Sequence, residues 1–225
     1  MTFRSEAETK AEAELESVLA DYDFALPESL VAQTPLAERE ASRLLVVARE
    51  TGRILEPERE HHVRDLPDWL EPGDLLVVNA TRVLPARLLG RKASGGLAEA
   101  LILGREDDAG ERAEAPIERT SGSTWRALLK CTGRVREGLR LVFRKPGSDT
   151  GSGSGSTALE AEVVARFERG EVALRFDDGD ADPYSIGIAP LPPYIRRSES
   201  DAPEPDLARY QTVFAREPGA VAAPT

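Results

Sequence analysis

Residues 79–87 read Asn79-Ala80-Thr81-Arg82-Val83-Leu84-Pro85-Ala86-Arg87. An amide, a hydroxyl and two guanidinium groups are thereby gathered on one short stretch. Polar groups at the exit of a strand commonly face a crevice, where they fix a ligand. Arg82 and Arg87 add planar forks suited to phosphate or carboxylate oxygens. Gly90-Arg91-Lys92-Ala93-Ser94-Gly95-Gly96 follows as a basic, glycine-rich hairpin. Its exposed amides and cations suit a polynucleotide backbone. A plainer reading also fits: a strand, a turn capped by Asn79, and an ordinary hairpin. Both readings stand at this point.

A second group of residues lies far along the chain. In Leu191-Pro192-Pro193-Tyr194-Ile195 the proline pair fixes two φ angles and removes two donors, which predicts a rigid, extended piece. Tyr210-Gln211-Thr212-Val213-Phe214 follows, and then Pro218-Gly219-Ala220-Val221-Ala222-Ala223-Pro224-Thr225. That last run has little side-chain bulk, so a ligand or another segment can approach its backbone closely. The expectation is that the strand-exit loop and the proline-stiffened tail converge on one pocket wall, and that the chain stops while this site is still being assembled.

Other reactive residue types carry less. His61 and His62 are adjacent, and neighbours on a helix or strand do not share a face, so they are not expected to chelate one metal. With no other histidine and one cysteine, no zinc site is expected, and the pair reads as surface residues. Cys131 falls in an apolar strand pattern and reads as a small core residue. Neither a phosphate-binding loop nor a dinucleotide glycine pattern occurs; the Gly151–Gly155 tract alternates glycine with serine and lacks a following helix.

The elements that must position these groups are mostly strands. Residues 1–20 read as an acidic, disordered extension. Asp21 to Leu30 reads as an extended lead-in and a short helical turn, with Pro27 at a permitted early position. Arg43 to Arg49 is a predicted strand, Thr51-Gly52 a turn, and Arg53 to Leu55 its hairpin partner. A short helix is predicted near Val63 to Leu70. Leu75 to Val78 is a continuous apolar run and predicts a strand buried on both faces. Short strands are then predicted at Ala86–Lys92, Ala98–Leu103, Trp125–Cys131, Leu139–Phe143, Ala158–Phe167 and Glu171–Phe176, with a hairpin turn at Arg169-Gly170. Regularly spaced short strands without helices suggest a small barrel or sandwich. Residues 105–123 and 146–157 read as loop insertions. The predicted fold class is α/β plus β: a small antiparallel β-barrel domain, 80–182, inserted into a mixed α/β domain made of 21–79 and 183–225.

Composition bounds the function. The apolar share of 40% supports a core, but aromatics are only 5%, so aliphatic residues must build it. A single cysteine excludes an internal disulfide and suits a reducing, cytoplasmic setting. No apolar run approaches the ~20 residues of a membrane span. The net charge of −11 argues against nucleic-acid binding through the whole surface. Charge is segregated, however: Arg82, Arg87, Arg91 and Lys92 lie in an acid-free stretch, and Arg126, Lys130, Arg134, Arg136, Arg140, Arg144 and Lys145 share a second stretch with Glu137 alone.

Taken in order, Leu75 to Asn79, Thr81-Arg82-Val83, Pro85-Ala86-Arg87-Leu88, Gly90-Arg91-Lys92, Gly95-Gly96, Glu99, Leu191 to Ile195, Tyr210 to Val213 and Pro218 to Thr225 closely resemble the S-adenosylmethionine:tRNA ribosyltransferase-isomerase family of queuosine biosynthesis. Asp23-Phe24, Leu26-Pro27, Leu30-Val31-Ala32 and Ser42-Arg43-Leu44-Leu45 fit the same family's N-terminal pattern. The resemblance implies an α/β domain carrying an inserted β-barrel. It implies transfer of the ribosyl unit of S-adenosylmethionine to a 7-aminomethyl-7-deazaguanine in the tRNA anticodon, with isomerisation to epoxyqueuosine. S-adenosylmethionine is then a substrate, and no metal or redox cofactor is implied. By residue type Glu99, Tyr194 and Tyr210 are candidates for the base, each with a packing or salt-bridge role as its alternative. Arg82, Arg87, Arg91 and Lys92 are expected at substrate carboxylate or tRNA phosphates. Asn79, Thr81, Gly95, Gly96, Pro192, Pro193, Gly219, Ala222, Ala223, Pro224 and Thr225 complete the expected substrate-facing set. A monomer is expected. In the family the Ala-Ala-Pro-Thr segment runs on into Ala-Gly-Leu-His-Phe and a further part of the α/β domain. That departure leaves three expectations open: an enzyme of weak or no activity alone, an inactive tRNA-binding β module, and a piece completed by a separate chain.

Overall fold

The computed structural model describes residues 20, 22–105, 124–147, 158–197 and 204–222. The predicted extension at 1–20 (Ala20 apart) and most of the two loop insertions lie outside them. The chain divides into two compact units, Met1–Thr34 and Pro35–Thr225. In the first, Pro27 leads at extended φ/ψ into one 3-10 turn, Glu28–Leu30, in line with the expected lead-in and turn.

The second unit is organised by a barrel. Strands β1 (Arg43–Leu44), β2 (His61–His62) and β3 (Thr81–Val83) precede it. Its staves are β4 (Arg87–Lys92), β5 (Leu97–Arg105), β6 (Thr124–Cys131), β7 (Arg140–Arg144), β8 (Ala158–Arg166) and β9 (Glu171–Phe176). They close in the order β4-β5-β6-β9-β8-β7, with every neighbouring pair antiparallel. Side chains alternate across a pleated strand, and burial follows that period: on β6, Trp125, Ala127 and Leu129 are buried while Leu128 and Lys130 are exposed. A six-stranded barrel has a narrow interior, which must be filled by mixing small and large residues. Ala98, Ala100, Ala127 and Ala161 supply the small ones, and Leu88, Ile102, Leu141, Phe143, Leu174 and Phe176 the large. Few aromatics are needed because few fit.

Two glycines let backbones meet. A Cβ on Gly90 would lie 2.3 Å from the Val142 carbonyl oxygen, where β4 crosses β7. One on Gly187 would lie 1.7 Å from the Pro85 carbonyl oxygen. There the chain leaving the barrel seals its start: Ile188 N–H donates to the Arg87 carbonyl at 2.9 Å, and Arg87 N–H to that of Ile188 at 3.2 Å. Outside the barrel wall, ion pairs lace the strands. Arg140 on β7 meets Asp177, Glu160 and Glu162, and Arg175 on β9 meets Glu162 at 2.9 Å. Arg126 meets Glu171 at 2.9 Å and lies over the Phe167 ring.

The remaining elements are short. Helix α1 (Glu204–Arg209) and strand β10 (Glu217–Ala220) follow the barrel, and β10 runs parallel to β3. The turn at Gly52 has φ 66 and joins Val46–Ala48 to Arg53–Leu55, as predicted. Four expectations change. The strand at Arg43 to Arg49 is ladder-paired only at Arg43–Leu44, with one isolated bridge from Val47 to Ile54. The helix near Val63 is a 3-10 segment, Val63–Trp69, because Pro67 cannot donate within it. Leu75 to Val78 forms no strand; Leu75 and Val77 are 88% and 84% exposed. An apolar run becomes a strand only when another edge takes its N–H and C=O groups, and no described residue does so. His61 is no surface residue but 4% exposed, packed edge-on to Trp69, with its Nε2 atom 3.4 Å from a Glu56 oxygen. Its neighbour His62 is half-buried and faces the other way. No described helix is long and apolar enough to cross a membrane.

Two outcomes follow. Gly187→Ala forces its Cβ onto backbone and should cost about 3 kcal/mol or more, whereas Gly96→Ala, with its nearest neighbour at 3.4 Å, should be close to neutral; denaturant titration compares them. Hydrogen bonding from Arg140 holds the Asp177 carboxyl below the usual carboxylate range. A lowered folded-state value means the pair contributes fully above the ordinary carboxylate range and fades as pH falls through the folded value. Asp177→Asn should therefore remove under ~1 kcal/mol at neutral pH and nothing near the acid limit, as urea midpoints at the two pH values will show.

Candidate functional site

The residues singled out at 79–87 sit where the chain enters the barrel. Asn79 turns back on itself, its Oδ1 accepting from Thr81 N–H at 2.9 Å. This is an Asx turn, the local habit of asparagine that the plainer reading predicted. Thr81, Arg82 and Val83 then pair with Glu217, Pro218 and Ala220. Gly219 is the extra residue at that register shift, so the small-residue run does allow close backbone pairing. Arg82 is exposed and Val83 buried.

Gln211 closes the other side of Val83. Its Oε1 accepts from Val83 N–H at 2.8 Å, and its Nε2 donates to the Val83 carbonyl at 2.9 Å. The primary amide thus imitates one residue of a neighbouring strand. Next to it, Thr212 Oγ1 donates to the Asn79 carbonyl at 2.7 Å. Arg39 holds this segment from behind, donating to the carbonyls of Ala208, Arg209 and Gln211 at the end of α1. A cation at a helix C-terminus satisfies carbonyls left without intrahelical partners. Arg197 fixes α1 from its own side through a two-pronged pair with Asp206 at 2.7 and 2.8 Å.

Tyr210 adjoins this clamp. Burial, with the nearby Tyr194 phenol adding to it, pushes the Tyr210 hydroxyl up from its ordinary value. At neutral pH that group stays protonated, so it is suited to donate a hydrogen bond and poorly suited to take a proton. Tyr194 is 61% exposed. The proline pair beside it does not make a straight rod: Ile195 N–H donates to the Pro192 carbonyl at 3.0 Å, closing a turn with Pro193 at its second position. Proline fixes φ but leaves ψ free, so the expected extended piece bends. Glu99 lies on the outer face of β5, in a two-pronged pair with Arg87 at 2.9 Å for both contacts, and opposite Lys130.

The structure therefore brings together Asn79, Thr81, Arg82 and Gly219 at the β3–β10 pair; Tyr210 directly precedes the Gln211 that clamps Val83, and Tyr194 lies near it. Arg87 and Glu99 stand at the adjoining barrel rim. Arg91, Lys92, Gly95 and Gly96 are at the opposite end of β4. Ala222 is described and exposed; Ala223, Pro224 and Thr225 lie outside the described residues. Gln211 and Arg39 are the two positioning residues that residue type did not single out. Each acts on backbone more than 120 positions away in sequence. Replacing Gln211 by Ala orphans both polar groups of buried Val83 and should cost about 2–3 kcal/mol. Hydrogen exchange should quicken at Val83 and stay unchanged at the barrel amide of Leu88.

A family profile described as "Queuosine biosynthesis protein" matches residues 19–225. The chain is 44% identical to the S-adenosylmethionine:tRNA ribosyltransferase-isomerase of Syntrophotalea carbinolica, over 92% of this chain and 52% of that protein. It is 43% identical to the protein of that name from Solibacter usitatus, over 92% and 56%. With the one from Anaeromyxobacter sp. the figures are 42%, 92% and 52%. The chain spans about half the length of these curated relatives. At such identity across nearly all of its residues, the chain belongs to the queuosine biosynthesis protein family.

Proposed function

We propose that this chain serves tRNA ribosyltransferase-isomerase chemistry: the ribosyl moiety of S-adenosylmethionine moves onto 7-aminomethyl-7-deazaguanine in the tRNA anticodon and isomerises to epoxyqueuosine. The observation that carries the reading is the convergence of three separated segments, 79–83, 210–212 and 217–220, into one hydrogen-bonded unit with Arg82 exposed beside it. The sulfonium of the donor acidifies the neighbouring 5′ carbon and makes methionine a good leaving group. What remains for the protein is to hold donor and acceptor amine close, to remove a proton and to stabilise departing groups. Arg82 suits the donor carboxylate or an RNA phosphate. Tyr210, kept protonated, suits hydrogen-bond donation to a departing group; Glu99 and Tyr194 remain the candidates to take the proton, Glu99 with Arg87 holding it in place. The parallel β3–β10 pair and α1 favour an α/β domain around the barrel, with its parts at 21–79 and 183–225. A cytoplasmic monomer suits such an enzyme.

A second reading, a tRNA-binding module without catalysis, is favoured by the exposure of Leu75 to Val78 directly before Asn79. An apolar run left in water beside the site is a poor wall for a reaction that needs water excluded.

One experiment separates the two. The chain is incubated with S-adenosylmethionine and precursor tRNA, and adenine is measured by chromatography. Release that requires both substrates and falls tenfold or more in kcat/KM with Arg82→Ala supports the transferase. No release, together with tRNA binding that weakens steeply with salt, supports the module. Neither release nor binding rejects both.

A further inference from the structure

The barrel's antiparallel order sorts its connections by end. The β4–β5, β6–β7 and β8–β9 turns (93–96, 132–139 and 167–170) all lie at one end. β3 leads into the other end, where β4 begins at Arg87 and Ile188 bridges to it. Hydrogen bonds knit the first two turns together: Thr132 N–H donates to the Leu97 carbonyl at 3.0 Å, and Ala93 N–H to that of Arg140 at 3.0 Å. A Cβ on Gly133 would come 3.6 Å from Lys92 Nζ.

The charges at this end differ from those on the barrel wall. On the wall, Arg87, Arg126, Arg140 and Arg175 are each neutralised by carboxylates. At the turn end stand Arg91, Lys92, Arg134, Arg136, Arg166 and Arg169, and none forms an ion pair with a described residue. Glu137 and Glu168 are the acids in these turns. Lys92 is half-buried and the five arginines are exposed. In a chain of net charge −11, a local cationic face is what would let a polyanion approach.

We propose that this end of the barrel is a docking surface for the RNA phosphate backbone, separate from the β3–β10 site. Five strand steps of β4 set it about 17 Å from the Arg87 end. The proposal rests on the tRNA reading above and deepens it. A structured RNA is long enough to touch both ends, so the barrel acts as a spacer: contacts at the turns set orientation while Arg82 and its neighbours meet the reacting nucleotide. Phosphate contacts of this kind position a nucleic acid without reading its sequence. The glycines at 95 and 96 keep the β4–β5 turn low, so that the flanking cations dominate the surface.

The test compares the full 225-residue chain with the triple variant Arg91→Gln, Arg134→Gln, Arg136→Gln, and with a control that removes as many charges elsewhere, Arg43→Gln, Arg49→Gln, Arg53→Gln. Fluorescence anisotropy reads the binding of unmodified precursor tRNA across a salt series, and circular dichroism checks folding. The expected result is tenfold or weaker binding for the first variant, with a salt slope smaller by about three, and near-native binding for the control. Equal losses in both variants, or none in the first, overturn the dock while leaving tRNA as the partner. No binding by the native chain overturns both readings. Independently of any variant, excess tRNA should slow acetylation of Lys92 in the native chain at least fivefold; unchanged reactivity overturns the dock.

Discussion

One side chain substitutes for a strand, and the site depends on it. β3 has β10 on one edge only, so the polar groups of buried Val83 need a partner on the other. Gln211 supplies donor and acceptor together, at 2.9 and 2.8 Å. A buried backbone group without a partner costs far more than a hydrogen bond returns, so this amide decides where the Tyr210–Thr212 segment lies. Arg39 then anchors the same segment through α1, and Thr212 ties it to Asn79.

The barrel contributes rigidity and a division of charge. Its narrow core is filled by alanines interleaved with a few large residues, so its diameter is set by packing and not by a ligand. Close backbone approach at Gly90 and Gly187 seals it on two sides. On the wall, cross-strand carboxylates hold Arg87, Arg126, Arg140 and Arg175; at the turn end no described carboxylate pairs with the six cations. Alternation along strands explains the contrast. Wall cations stand opposite residues of a neighbouring strand at fixed register, where pairing is cheap. Arg91, Lys92 and Arg166 stand opposite apolar residues, Leu97 and Val142, Leu141, and Val172, while Arg134, Arg136 and Arg169 lie in the turns beyond the ladder.

Much of the barrel was legible beforehand. Short, regularly spaced strand-like runs located six strands to within a residue or two, and the turns at 51–52 and 169–170 were marked by Gly52 and Gly170, which tolerate their positive φ. Asn79 likewise announced its own turn. Other features misled. Leu75 to Val78 has the composition of a buried strand, yet strand formation needs an edge that composition does not supply. His61 has the composition of a surface residue, yet Trp69 lies against it. The proline pair at 192–193 bends because the ψ angles are free to follow the surrounding chain.

The sequence by itself determined the barrel strands, the Asn79 and glycine turns, the family and the set of polar groups from which a site can be built. These depend on neighbours along the chain: side-chain period, ring constraints, and glycine's freedom. Only the tertiary structure decided which of those groups meet. Arg82 and Arg91 are nine positions apart and end up at opposite ends of the barrel. Val83 and Gln211 are 128 apart and share two hydrogen bonds. Strand pairing and the burial of backbone polar groups are satisfied across such separations, and their choice of partner is written in the whole fold.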